Sequence, residues 1–260
     1  MDTQDLAAQE RLGEISRVLV RARQSAKALP GFPGMLPQTF GEAYSIQDLS
    51  RGLWQDDVVG WKVGGVPPAF IDRFGETRLV GPIFSRSVKT VTDGGHVEMP
   101  VFMGGFAAIE PELIVQLGAT RAHDRMFIGA EIASSPLPAI NAIGPIAVIS
   151  DFGNNNGMII GPEIVDWRER GLGSIPVTCM INDRCVGERD VSDVIGSADQ
   201  TIAFLLSHGE RKGIEMLPGT HISTGAITGV HEAEIGAKSR ISFGDYGSFS
   251  LSLIAAEPSS

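Results

Sequence analysis

The sequence predicts an α+β protein in which a small N-terminal helical region precedes a rolled mixed β-sheet or β-sandwich-like core. Apolar residues recur at helical spacing in the first fifty-odd residues, whereas short β-branched segments bounded by turn residues follow Val58. Strands outnumber helices after that point without a regular βαβ alternation, which argues against a Rossmann or TIM-barrel fold. We therefore expect a helical cap at residues 1–57 and a β-rich domain at residues 58–260.

The N-terminal region is predicted to hold two helices. An amphipathic pattern over residues 6–29 predicts the first, which should end near Pro30. Thr39 and Glu42 have the spacing of a capping box and predict the start of a second helix that runs to about Trp54. This helical region is expected to act as a cap or as a dimerisation element.

The remaining chain is predicted to be mostly strands. Asn182 and Asp183 separate two alternating segments and predict a hairpin turn. Residues 198–208 predict one helix within this series, because their apolar side chains share one face. The apolar segment at residues 145–150, PIAVIS, is predicted to be a strand.

The charge balance argues against two classes of partner. The chain has 31 acidic and 21 basic residues and a formal net charge of −10, whereas nucleic acids and anionic membranes reward a basic face. An anionic small substrate remains compatible with this balance, because one bound cation can reverse the local field.

The cysteine content and the N-terminal sequence predict a soluble cytoplasmic protein. Cys179 and Cys185 are too few for a disulfide framework and are expected to be reduced, with a hairpin disulfide between them as the alternative. The N-terminus is charged from the start, unlike a signal peptide, and the most apolar run, residues 143–149, is too short to span a bilayer.

Two glutamates flank a proline in the segment AIEPELIV. Glu110 and Glu112 would point to one face of a strand, where two close carboxylates repel unless a cation lies between them. Pro111 lacks an N–H and so predicts a sheet edge or a bulge. The alternative is that both carboxylates face solvent on an edge strand.

Glu131 adds a third carboxylate within an apolar strand-like run. Because a lone carboxylate is costly to bury, convergence with the first two would form an oxygen-ligand site for Mg²⁺ or Mn²⁺. Such a site leaves positions for water and a chelating substrate. The alternative reading is a glutamate at the solvent end of its strand.

Three further segments are candidates for catalysis or substrate binding. Lys62 in GWKVGG is a candidate acid/base or anion anchor, although strand lysines more often face solvent. Asp151, with an asparagine of its DFGNNNG segment, could orient water, although from the residues alone a polar turn between two strands is the preferred explanation. Thr224 and Gly225, after Ser223, supply hydroxyl and backbone donors of the kind that hold a carboxylate.

Five segments together resemble the fumarylacetoacetate hydrolase superfamily, in particular its 2-keto-4-pentenoate hydratase and oxalocrotonate decarboxylase branch. In chain order they are GWKVG, IEPELIVQL, GAEIASS, SDFGNNNGMIIG and LPGTHISTGAITG, and the resemblance covers residues 40–253. It implies a fumarylacetoacetase C-terminal-like fold, a homo-oligomer, and a role in aromatic meta-cleavage catabolism.

The resemblance also implies roles for individual residues. Glu110, Glu112 and Glu131 are expected to bind Mg²⁺ or Mn²⁺, and Lys62 is expected to face a small 2-oxo or 2-hydroxydienoic acid. Asp151 is expected beside the pocket as an acid/base, and Gly81, Thr224 and Gly225 are expected to bind substrate.

Two departures from the hydratase pattern affect the predicted reaction. Leu79 stands where hydratases carry an aspartate, with Glu76 as the nearest acid, and Phe152 stands where they carry an asparagine. We predict a metal-dependent hydro-lyase of the 2-hydroxypenta-2,4-dienoate hydratase type. The alternatives are a 4-oxalocrotonate-type decarboxylase, an acylpyruvate-type C–C hydrolase, and a metal-stabilised binding module without activity.

Overall fold

Two mixed β-sheets and a small set of helices form the chain, as seen in a computed structural model that describes residues 3–169 and 172–259. Within this part the helices are α1 (Thr3–Gln24), α2 (Phe40–Leu53), α3 (Pro68–Phe74), α4 (Ile140–Ile143), α5 (Pro145–Ser150) and α6 (Val194–Lys212). The strands are β1 (Val58–Gly65), β2 (Arg78–Phe84), β3 (Val88–Thr90), β4 (His96–Val101), β5 (Phe106–Gln116), β6 (Arg125–Ser135), β7 (Asn155–Glu163), β8 (Ile175–Ile181), β9 (Arg184–Val191), β10 (His221–Ser223), β11 (His231–Glu232), β12 (Lys238–Ser242) and β13 (Ser248–Ala255). The α+β class predicted from the sequence is confirmed.

The larger sheet has the order β2-β1-β10-β5-β6-β7-β3, with β11 also pairing with β5. The smaller sheet has the order β4-β13-β12-β8-β9. Both are mixed: β1 pairs with β10, β3 with β7 and β4 with β13 in parallel, and the other pairs are antiparallel. Buried side chains of the two sheets, among them Ile109, Ile128, Phe249 and Leu251, belong to one hydrophobic cluster. The core therefore lies between the sheets.

The predicted N-terminal helices are present, with one boundary wrong. The first helix ends at Gln24 rather than near Pro30, and Ala26 has a φ of 51° that a helix cannot continue. The second helix begins as predicted, because the Thr39 hydroxyl accepts a hydrogen bond from the backbone N–H of Glu42 at 3.1 Å.

Local chemistry explains the other matches and errors. Asn182 and Asp183 have φ angles of 48° and 64° in the turn between β8 and β9, as the predicted hairpin requires. The apolar segment at 145–150 is helix α5 rather than a strand: Pro145 occupies the first helical turn, where its missing N–H costs nothing. Short apolar runs cannot be assigned by periodicity alone.

The N-terminal helices pack onto the sheet domain. Phe40, Ala43 and Tyr44 of α2 belong to the main hydrophobic cluster, and the Tyr44 hydroxyl accepts a hydrogen bond from the N–H of Val80 in β2.

The division into residues 1–57 and 58–260 stays a prediction, and residues 1, 2, 170, 171 and 260 lie outside the described part. None of the described helices is both long and apolar enough to cross a membrane.

Candidate metal and substrate site

Three buried glutamates of the larger sheet converge as the sequence predicted. Glu110 and Glu112 lie two residues apart on β5 and share a face, and Glu131 lies directly opposite Glu110 on β6. One carboxylate oxygen from each lies within 4.8 Å of the others, and all three residues are buried. The alternative in which these carboxylates face solvent is therefore wrong.

The predicted edge position of Pro111 is also wrong. Strand β5 pairs with β6 on one side and with β10 and β11 on the other, so it lies inside the sheet. Pro111 lies between the part of β5 that pairs with β10 and the part that pairs with β11. The connection between those two strands lies beside Pro111, so the proline interrupts neither ladder. The N–H of Ile227 in that connection donates to the Pro111 carbonyl at 2.9 Å.

Lys62 and Asn155 surround Glu131. Lys62 Nζ lies 3.1 Å from Glu131 Oε1, and the Asn155 side-chain amide donates to the same oxygen at 3.0 Å. The second oxygen, Oε2, is buried and has no hydrogen-bond partner in the described part of the chain. Because an unpaired buried carboxylate oxygen is costly, its place in the cluster indicates a missing ligand.

The connection after β10 holds Glu112. The Ser223 hydroxyl and the backbone N–H of Gly225 both donate to Glu112 Oε2, the latter at 2.8 Å. Gly225 has a φ of 108°, a conformation that favours glycine. These two donors fix the carboxylate and leave its other oxygen for a further contact.

The charges of this site are unbalanced. Burial raises the pKa of Glu110 to about 7, with the charge on Glu131 adding to the shift and Lys62 opposing it. Burial also raises the pKa of Glu112 well above its ordinary value. Burial would lower the pKa of Lys62, but Glu131 and its two neighbouring glutamates outweigh it and raise that pKa. We call Lys62, Glu110, Glu112 and Glu131 the glutamate cluster.

Three members of the glutamate cluster, Lys62, Glu110 and Glu112, line a cavity of about 540 Å³, and Glu131 does not. Its polar lining residues are Lys62, Thr77, Arg78, Glu110, Glu112, Asn141, Asn154 and Thr224. Leu79, Pro145 and Val148 provide apolar wall. A larger cavity of about 630 Å³ lies beside Arg23 and Trp54, and none of the three glutamates lines it. The smaller cavity is the candidate site because Glu110 and Glu112 line it, whereas none of the three glutamates lines the larger one.

The structure does not bring Asp151 into this cavity. Its carboxylate is buried and receives two hydrogen bonds from Arg23, at 2.6 and 3.0 Å, and a further one from the Ser135 hydroxyl. These hydrogen bonds occupy both oxygens of the Asp151 carboxylate. The geometry speaks against the predicted acid/base role, and the Arg23–Asp151 pair instead ties α1 to the segment before β7.

Gly81 does not line the cavity either. A side chain on Gly81 would collide with the Phe152 carbonyl oxygen, so glycine is needed for the close approach of two backbones. Lys62 lies opposite Gly81 in the pairing of β1 with β2. Gly81 thus has a packing role beside Gly153, which lines the cavity, and its expected substrate-binding role stays a prediction.

Thr224 and Gly225 line the cavity, but the Thr224 hydroxyl donates to the carbonyl of Leu113 at 2.8 Å. Leu79 also lines the cavity, which places an apolar side chain where a hydratase is expected to carry an acid. Glu76, the nearest substitute, is exposed and lies outside the lining.

Two asparagines of the NNN segment contact the site. Asn155 holds Glu131, and Asn154 lines the cavity with a buried side-chain oxygen that has no hydrogen-bond partner among the described residues. The sequence predicts an asparagine of this segment beside the site without distinguishing among the three. Phe152, Gly153 and Asn154 have φ angles of 55°, 69° and 62°, a left-handed run that carries the chain from one cavity to the other.

The residues present fit a hard divalent cation. All the donors are carboxylate oxygens, they come from rigid paired strands, and the unpartnered Glu131 oxygen has a defined use as a ligand. Cys179 and Cys185 are both free and lie on strands β8 and β9 of the other sheet, so thiols have no part in this site.

No protein-family model matches the sequence, and no curated protein matches it. Among solved structures, 4-oxalocrotonate decarboxylase from Pseudomonas putida G7, complexed with magnesium and adipate, is 24% identical with a TM-score of 0.73, and the alignment covers 94% of this chain and 98% of that one. Fumarylpyruvate hydrolase from Pseudomonas aeruginosa, in complex with Mn²⁺ and pyruvate, is 16% identical with a TM-score of 0.55, over 75% of this chain and 89% of that one. The chain thus has the fold predicted from its resemblance to the fumarylacetoacetate hydrolase superfamily.

Proposed function

We propose that this protein is a Mg²⁺- or Mn²⁺-dependent lyase that acts on a small 2-oxo acid. One observation carries the proposal: three buried carboxylates converge beside Lys62, and two of them, Glu110 and Glu112, line a cavity of about 540 Å³ together with that lysine. The third, Glu131, contributes a buried oxygen without a hydrogen-bond partner among the described residues. The fold shared with a magnesium-complexed decarboxylase and with a Mn²⁺- and pyruvate-complexed hydrolase supports it.

Glu110, Glu112 and Glu131 would hold the cation. When bound, the cation supplies Lewis-acid polarisation of the 2-oxo group and electrostatic stabilisation of the negative charge that develops there. Ser223 orients Glu112 and Asn155 orients Glu131, so both ligands are fixed by neighbours before any substrate enters.

Lys62 is the proposed proton donor. Its Nζ lines the cavity, and the surrounding carboxylates raise its pKa, so the ammonium form is stable at neutral pH. In decarboxylation the bond to the departing carboxylate breaks, its electron pair passes into the conjugated 2-oxo system, and a carbon atom then takes up a proton. Lys62 Nζ holds a proton for that step and is reprotonated from solvent.

Within this class we propose decarboxylation ahead of hydration. Water addition needs an acid or base beside the reacting carbon, and Leu79 occupies the matching part of the wall while Glu76 is exposed elsewhere. A decarboxylase needs no water at that carbon. The solved 4-oxalocrotonate decarboxylase, which covers most of this chain, supports the same order.

A 2-hydroxypenta-2,4-dienoate hydratase is the second candidate, favoured by Asn154. Its unpartnered side-chain oxygen lines the cavity and offers an acceptor for a water molecule. An acylpyruvate-type hydrolase would depend on the same water. Homo-oligomerisation, a cytoplasmic location and a role in aromatic catabolism stay predictions.

Purified protein, first stripped with EDTA, tests the proposal when it is assayed with 4-oxalocrotonate and with 2-hydroxypenta-2,4-dienoate, with and without Mg²⁺ or Mn²⁺. We expect metal-dependent CO₂ release from 4-oxalocrotonate. Incorporation of ¹⁸O from water at C4 of the dienoate would instead identify the hydratase, and hydrolysis of an acylpyruvate would identify the hydrolase.

Glu112→Gln is the matched test of the ligand assignment. It keeps the shape of the side chain but removes a ligand charge, and we expect turnover to fall to background. Glu98→Gln, on the exposed face of β4, is the control and should retain activity. Full activity of Glu112→Gln would overturn the proposed metal site, and absence of any metal-dependent turnover would favour the binding module.

A further inference from the structure

The cavity of about 630 Å³ beside Arg23 and Trp54 has no part in the proposed reaction. Its volume falls within the range of roughly 300–1,000 Å³ that is usual for small-molecule sites. Segments that are distant from one another in the sequence form its wall, which makes it a concave site rather than a flat face. They lie at residues 23–24, 54–56, 84–87, 100–102, 152–156 and 254–259.

Aromatic rings form the interior of this cavity. Trp54, Phe84 and Phe152 contact one another: the ring centres of Phe84 and Phe152 are 4.9 Å apart, and that of Trp54 lies 5.8 Å from each. Phe84 and Phe152 are buried, whereas Trp54 is half-buried, and Phe102 adds a fourth ring to the lining. We call this site the aromatic cavity. Because aromatic rings attract one another in tilted and edge-to-face arrangements, a further ring from a ligand would extend the set.

The polar groups of the aromatic cavity already have partners. Arg23 is paired with Asp151, and Asp56 accepts hydrogen bonds from the Ser85 hydroxyl and from the N–H of Arg86. None of the buried polar atoms that lack a partner in the described part of the chain belongs to a lining residue of this cavity. The aromatic cavity therefore needs no charged ligand, in contrast to the glutamate cluster.

The rim of the aromatic cavity is polar. Gln55, Arg86 and Glu257 are exposed there, and Ile254 is the one exposed large apolar side chain among the lining residues that the structure describes. A protein partner would be expected to cover a wider exposed apolar patch around the opening. The apolar surface is instead confined to the interior, which favours a small molecule over a second chain.

Residues 152–155 connect the aromatic cavity to the candidate metal site. Phe152 and Asn155 line the aromatic cavity, whereas Gly153 and Asn154 line the other one. The Asn155 side chain also donates to Glu131 at 3.0 Å. A molecule packed against Phe152 and Asn155 would therefore stabilise the arrangement in which Glu131 is oriented as a metal ligand.

We infer that the aromatic cavity binds a neutral aromatic molecule and that this molecule strengthens divalent-metal binding at the glutamate cluster. The first part is independent of the proposed function, and the second part rests on it. By thermodynamic linkage, the metal would strengthen binding of the aromatic molecule by the same factor.

The test of the site compares 2-naphthol with decahydro-2-naphthol, which share a two-ring skeleton and one hydroxyl and differ in aromaticity. Isothermal titration of the full chain should show tighter binding of 2-naphthol by roughly 2- to 10-fold, the range for one aromatic pair. Trp54→Leu should remove most of this preference, and Trp54→Phe should retain part of it. Phe204→Leu, which removes a half-buried ring outside both cavities, is the control and should bind as the wild type does.

Titrations of Mg²⁺ with and without saturating 2-naphthol measure the coupling. We expect Mg²⁺ to bind about 5-fold more tightly when 2-naphthol is present, at the low end for coupled sites. Asn155→Ala should abolish this difference while 2-naphthol still binds, because it removes the contact with Glu131 and leaves the rings in place.

Equal binding of the two alcohols by the wild type, or a preference that survives in Trp54→Leu, would overturn the aromatic site. So would dissociation of an oligomer by Trp54→Leu without any binding of 2-naphthol, which would identify a second chain as the occupant. An unchanged Mg²⁺ affinity would overturn the coupling alone. Absence of Mg²⁺ binding would overturn the coupling and the proposed function, whereas binding of 2-naphthol would still support the site. Melting curves establish that the variants are folded, and Trp54→Phe provides a second variant with a ring retained.

Discussion

The segment of residues 151–155 contacts two buried ionic groups, the Arg23–Asp151 pair and the glutamate cluster. The two groups differ in how completely their charges and hydrogen-bonding atoms are paired. The Arg23–Asp151 pair has matched charges, and Arg23 also donates to the carbonyl oxygens of Ser134 and Asn155. The glutamate cluster has more carboxylates than cations and one oxygen without a partner. Burial of charge is thus common to both, and only the unmatched charge marks a site that is made to bind something.

Removing the charge of Asp151 should have the largest effect on stability. Asp151→Asn leaves the buried Arg23 guanidinium without its counter-ion, and breaking a buried pair in this way costs about 3–5 kcal/mol. We expect a lower free energy of unfolding in urea, with Mg²⁺ binding unchanged in the folded protein.

The matched variant in the other group is Glu112→Gln. Burial raises the pKa of the native Glu112 carboxyl, so a neutral side chain is favoured at this position. The metal-free Glu112→Gln protein should therefore lose no stability. A similar loss in both variants would remove the distinction between the two groups. Loss of metal-dependent turnover in folded Asp151→Asn would restore the catalytic role predicted for Asp151.

This difference also explains where sequence reasoning succeeded. Glu110 and Glu112 are spaced so that their carboxylates repel, and Glu131 is isolated in an apolar run where a lone charge is costly. A bound cation would offset both costs, and the structure brings the three residues together. The acid/base role of Asp151 was expected from the resemblance of its segment to the superfamily. The residue that satisfies it, Arg23, lies 128 positions away in the chain, so no local pattern could reveal the pair.

The pH dependence of stability should be the next largest effect. The pKa of Glu110 rises from its ordinary 4.5 to about 7 in the metal-free protein. Because the folded protein binds this proton more tightly than the unfolded chain does, protonated Glu110 favours the folded state. This contribution to the free energy of unfolding, about 3 kcal/mol, is fully present below pH 4.5 and is lost as the pH rises through about 7. Stabilisation by Mg²⁺ should grow over the same range, because the ligands must be ionised.

Thermal melting with Mg²⁺ and with EDTA, at pH 5.5 and pH 8, measures this effect. We expect the increase in Tm caused by Mg²⁺ to be larger at pH 8. Glu110→Gln should remove the contribution of Glu110 to the pH dependence of the metal-free protein, while the contribution of Glu112, whose pKa burial also raises, should remain. An equal Mg²⁺ effect at both pH values would contradict the prediction.

The smallest effect is expected for Asn155, which contacts both groups. Its side chain donates to Glu131, whereas its backbone carbonyl accepts from Arg23. Asn155→Ala should therefore weaken Mg²⁺ binding by about 10- to 100-fold, as for other groups that orient a metal ligand. The Arg23 contact should survive, so the loss should appear in metal titrations rather than in unfolding of the metal-free protein. Asn156→Ala, which removes a side chain bound to Arg23 and Pro100, is the control.

Long-range pairing set the limit of prediction in the fold as well. The hairpin at Asn182 and the cap at Thr39 were predicted because a few adjacent residues determine them. The central position of Pro111 was not, because it depends on β10 and β11, more than a hundred residues later in the chain. The helix at 145–150 was missed because its apolar residues face the core and give no periodicity.

The directly opposed positions of Glu110 and Glu131 in adjacent strands have a consequence for ion selectivity. Loops can adjust to ions of different radius, but the spacing between ladder partners is fixed when the sheet forms. Preference for a small cation such as Mg²⁺ over the larger Ca²⁺ would then be a property of strand geometry that is acquired during folding.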